Sequence, residues 1–204
     1  MFDSQGESYY RAQFLVDRFK EREEPSWEVL KESAEQTTRV VRSAVESLVE
    51  ERERIGDQEL KTLYHLCQNS SDGRSAEDKR DLVRQLGLSD GKTEQIVDDI
   101  DASVGSVGQS MTNPPIHVGG KDDEFPELER DLHECFARIV EDYEAEPELV
   151  DAVREILAID FYGVQSGRIS PIFHYLAPDL FPVINGRSCD GMELMTGEQV
   201  SQDL

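Results

Sequence analysis

The sequence predicts a mainly α protein: a multi-helix bundle with a glycine-rich linker and a second small helical subdomain. Three observations predict it. Apolar residues recur at steps of three and four through most of the 204 residues. Helix-start residues open these segments, and glycine or proline closes them. No run alternates with the period of two that marks a half-buried strand; Phe181 to Ile184 is the best short strand candidate.

The first helix is predicted over 7–22, where Tyr10, Phe14, Leu15 and Phe19 form one stripe and Pro25 is the breaker. Ser26 is the expected N-cap of a long second helix over 26–54, with Glu28 in its first turn. Leu30, Ala34, Thr37, Val41, Ala44, Leu48 and Ile55 there follow heptad spacing. Such a seam serves either an intramolecular bundle or a dimeric coiled coil. Ala and Thr are weak knobs, which favours the bundle and leaves a homo-oligomer through 26–54 as the alternative. Gly56 ends this helix and Asp57 is the predicted cap of the next, over 57–68, carrying Leu60, Leu63, Tyr64 and Cys67. A helix over 75–86 stops at Gly87, and another starts at Ser89 or Asp90 with Ile96, Val97 and Ile100 on its apolar side. Glycine, proline and charge then dominate 103–125, read as a flexible linker or long loop between an N-terminal helical bundle, 1–102, and a C-terminal helical subdomain, 126–204. In the latter, Pro126 and Pro147 suit the first turns of two helices, and a third short helix covers 168–176 after a glycine turn at 163–167.

A hydrophobic fraction of 37% is low but sufficient for a core. No stretch approaches about 18 consecutive apolar residues, so no membrane span is expected. Met1 to Glu7 lacks the basic and apolar regions of a signal peptide, and Cys67, Cys135 and Cys189 are few, odd in number and widely spaced. Both features point to reduced thiols and a cytoplasmic location. Against 44 acidic side chains stand 21 basic ones, a net charge of −23. Lysine occurs only at 20, 31, 61, 79, 92 and 121; arginine supplies the rest. A large acidic excess spread along the whole chain, with scarce lysine, resembles the composition of extreme-halophile proteins, an acidic protein of dilute cytosol being the alternative. In molar salt the Debye length falls to about 3 Å and self-repulsion is screened. Nucleic-acid binding then has to rest on a local site, since phosphate affinity also falls with salt.

Gly87-Leu88-Ser89-Asp90-Gly91-Lys92-Thr93 has one residue too few between its first glycine and Gly-Lys-Thr for a phosphate loop, and a helix precedes it where a strand is needed. A helix C-cap followed by an N-cap is the expected structure. His65-Leu66-Cys67 and His133-Glu134-Cys135 resemble metal half-sites, but residues two apart on a helix face different ways. Buried Cys and partly buried His are expected, one zinc between the pairs being the alternative. Neither a nucleophile elbow nor a zincin motif occurs, and no catalytic residue, metal or cofactor is assigned.

The most distinctive stretch is 161–191. Its glycines allow a tight turn whose amides lie at the N-terminus of the 168–176 helix, a place suited to a phosphate, with Arg168 as a bidentate partner. The same glycines also fit a close-packed helix hairpin. The run Pro178-Asp179-Leu180-Phe181-Pro182-Val183-Ile184-Asn185, followed by Gly186-Arg187-Ser188, resembles a segment of McrB-like AAA restriction ATPases and, less closely, of helix-hairpin-helix DNA glycosylase-like proteins. The first resemblance implies a non-catalytic DNA-binding or assembly region of a restriction system. An AAA motor or nuclease subunit is its implied partner, and a motor beyond Leu204 would make this chain a fragment or a separated accessory region. Under that reading the glycine turn and helix start make Gly163, Gly167, Arg168 and Ser170 the candidates for a DNA phosphate contact. Asn185 and Arg187 then either read a base edge or cap the local turn. The second resemblance implies a divergent glycosylase-like enzyme, but Asn185 stands where that group has its carboxylate, and an amide is no general base. A helical protein-interaction module is the third alternative.

Overall fold

The computed structural model describes residues 14, 17, 18, 21, 24–67, 76–102, 125–142, 149, 151–153, 166–178, 180, 181, 190, 191 and 193. Helix accounts for 86% of them, and they include no strand, as the sequence predicts. In chain order the helices are α1 (Glu24–Glu51), α2 (Asp57–Leu66), α3 (Ala76–Gln85), α4 (Asp90–Ala102), α5 (Phe125–Asp142) and α6 (Ser166–Leu176). Residues 14, 17, 18 and 21, residues 149 and 151–153, and residues 190, 191 and 193 are also helical. Of the predicted linker at 103–125, residues 103–124 lie outside the described residues, and Phe125 instead opens α5.

α1 is the axis of the bundle. Its 28 residues span about 42 Å at 1.5 Å per residue, and α2, α4, α5 and α6 all pack on it. Pro25 lies within its first turn, where a missing N–H costs nothing, so it does not break the chain ahead of the helix as its residue type suggested. From Val40 to Leu48 nearly every side chain is buried, because neighbours surround α1 on several sides. The heptad seam is thus filled by the chain's own helices: Thr37, Val41, Ala44, Leu48 and Ile55 are buried, while Ala34 is exposed and Ser33 takes the inner position. Small polar residues can line this face because their hydroxyls bond the preceding turn. Thr37 donates to the Ser33 carbonyl at 3.0 Å, and Ser47 donates to the Ser43 carbonyl at 2.8 Å.

α1 ends at Glu51, ahead of the glycine predicted to stop it. Gly56 is the N-cap of α2, the role expected of Asp57; its N–H donates to the Glu59 carboxylate at 3.1 Å. With no side chain to cap the helix, Gly56 depends on this reach from the first turn. Ile55 between the two helices is fully buried, and its N–H donates to the Glu129 carbonyl of α5 at 3.1 Å.

α5 presents Leu132, Cys135, Phe136 and Ile139 inward, and α6 presents Ile169, Ile172, Phe173 and Leu176. The Phe136 and Phe173 rings lie 5.3 Å apart, and Phe173 and Phe181 lie 5.7 Å apart. These side chains join those of α1 to α4 in a single hydrophobic cluster. The described helices on the two sides of 103–124 therefore share one core. No described helix is long and apolar enough to cross a membrane.

Candidate functional site

The stretch with the strongest sequence signal builds α6. The helix opens at Ser166, two residues before the predicted start, so Gly167 lies inside the first turn and not in the turn ahead of it. The N–H groups of a helix's first three residues have no partner within it, and here they belong to Ser166, Gly167 and Arg168. Pro171 follows inside the helix; having no N–H, it leaves the Gly167 carbonyl without its usual intrahelical donor. Arg168 shares this first turn with Gly167. Ser170 is only 1% exposed, so its hydroxyl faces the interior of the fold. Gly163, Asn185 and Arg187 lie outside the described residues, as does Asp179.

The far end of α6 holds the start of the proline run. Ala177 N–H donates to Phe173 O at 2.9 Å, and Leu180 and Phe181 N–H groups donate to Ala177 O at 3.1 and 3.0 Å. His174 Nδ1 lies 2.8 Å from Phe181 O, closing the turn on the helix that made it. Phe181 is then pressed into the core at 5% exposure and takes no part in a strand. Pro182 to Ile184, the rest of the strand candidate, lie outside the described residues.

At Gly87 to Thr93 the structure shows the two caps expected. Gly87 takes φ +63°, the left-handed value that ends a helix, and α4 begins at Asp90. Three consecutive residues at the end of α1 grip this turn. Arg52 donates to the Leu86 and Gly87 carbonyls at 2.6 and 3.0 Å, at the negative end of α3. Glu51 accepts from the Ser89 amide at 2.8 Å and the Ser89 hydroxyl at 2.5 Å, at the positive end of α4. Lys92 pairs with Glu50 at 2.7 Å. Arg52 and Glu51 each meet a helix end of opposite sign. The Ser89 hydrogen bonds, hydroxyl first and amide second, hold the Glu51 carboxyl below its ordinary value. The hydrogen bond to Glu50 raises Lys92.

Of the two His–Cys pairs, His65 is 5% exposed and Cys67 fully buried, while Cys135 is 4% exposed and His133 half-buried, its Nε2 3.3 Å from Val49 O. Both described cysteines are free thiols. Among the described residues no three His, Cys, Asp or Glu side chains are grouped to hold a metal. A third group, missed in the sequence, joins this region: Lys79 of α3 is 5% exposed and donates from Nζ to Leu66 O at 3.4 Å. Its signal was its spacing, since Lys79 precedes the buried Val83 by four residues and Leu86 by seven. Burial pushes the Cys67 thiol and the Tyr175 phenol up and Lys79 down, because in each it penalises the charged form.

An open depression of about 570 Å³ lies where α1 ends, α2 begins and α5 passes, lined by Arg52, Arg54, Glu53, Glu59 and Glu129. Its charges pair among themselves: Arg52 with Glu59 and Arg54 with Glu129, each at 4.0 Å.

Comparison of this chain with protein-family models, curated proteins and solved structures finds no match.

Proposed function

We propose that this chain is a non-catalytic, DNA-contacting helical region of a McrB-like restriction system, working beside an AAA motor or nuclease subunit. The observation that carries the reading is the segment 161–191: a proline run resembling that family, attached to a helix whose first turn holds Ser166, Gly167 and Arg168. Amides without a partner in their own helix and one guanidinium in the same first turn suit a single phosphate. In this reading Ser170 seats α6 in the core and leaves the phosphate to Gly163, Gly167 and Arg168, while Asn185 and Arg187 approach the neighbouring nucleotide or cap their own turn.

The test is a titration of labelled DNA duplexes across KCl concentrations with the parent chain and Arg168→Ala. Loss of one charge-assisted contact is expected to weaken binding about 10- to 100-fold. The slope of log affinity against log salt should also shrink by about one. Helix content of the variant by circular dichroism should match the parent. A parent that binds no duplex, or a variant with unchanged affinity and slope, overturns the proposal.

A further inference from the structure

We draw no further inference here: the strongest candidate, the open polar depression between the end of α1, the start of α2 and α5, is a carboxylate cluster already paired with Arg52 and Arg54, and no second observation among the described residues points to a ligand for it.

Discussion

Lys79, Cys67 and Tyr175 make the alkaline behaviour of this protein depend on three buried side chains. The thiol and the phenol are raised above their ordinary 9.0 and 10.0, so the native state keeps protons that the unfolded chain releases. Each therefore contributes stability at neutral pH that is lost as pH rises past those values, at about 1.4 kcal/mol per pH unit. Lys79 is lowered from 10.5, so the unfolded chain holds its proton longer and stability rises with pH between its native value and 10.5. The lysine thus offsets the cysteine. In Lys79→Met the alkaline loss should begin closer to pH 9 and be steeper than in the parent, measured by urea unfolding at a series of pH values. At neutral pH the same variant should be as stable as the parent or about 1 kcal/mol more so, because a buried ammonium is replaced by an apolar side chain of similar length. A variant with the parent's pH profile would show that Lys79 does not oppose Cys67.

At the scale of elements, two features set the arrangement of helices. The first is the grip of α1 on the α3–α4 turn. Glu51 is lowered from its ordinary 4.5, so the contact is present above that value and is lost as pH falls through the native one. The hydrogen-exchange protection factor of the Ser89 amide should therefore fall in the parent on acidification below 4.5, and at neutral pH in Glu51→Ala. Equal exchange in parent and variant at neutral pH would remove the carboxylate from this role. The second is the seam of α1. Leu48 has no exposed surface in the single chain, so Leu48→Ala should cost about 2–5 kcal/mol of unfolding free energy. That loss should be independent of protein concentration, as checked by denaturation over a hundred-fold range. A concentration-dependent midpoint would return the seam to a dimer interface. Periodicity identified the inward residues of α1 from Thr37 onward, but it placed Ala34 inside and ended the helix too late. Heptad counting does not know that a small polar residue such as Ser33 can take the inner position. Nor does it know that Ile55 leaves the helix to meet Glu129.

At the scale of the whole molecule the net charge is −23. With 44 carboxylates against 21 cations, self-repulsion extends about 10 Å in 0.1 M salt and about 3 Å in 1 M. Stability should therefore climb steadily from dilute buffer into molar KCl, followed as thermal midpoint against salt. Full stability in dilute buffer would overturn the halophilic reading. The same charge shapes the proposed DNA contact. A chain with 44 acidic against 21 basic side chains should bind through one or two phosphates, with a salt slope much shallower than that of a basic DNA-binding domain.

Helix class, the order of segments and most inward-facing positions were determined by the sequence itself, since apolar spacing, glycine stops and first-turn prolines act within a few residues of each other. The Gly87 cap and the burial of Cys67 and Cys135 were legible for the same reason. Tertiary structure alone decided which charges meet: that Glu51 and Arg52 reach the turn after α3, that Lys79 is drawn inside against Leu66, and that α5 and α6 complete the core around α1. It also moved the start of α6 ahead of Gly167 and turned Ser170 into the interior. Contacts between residues 34 or more positions apart, as with Arg52 and Leu86, depend on how helices cross, and local spacing carries no record of that.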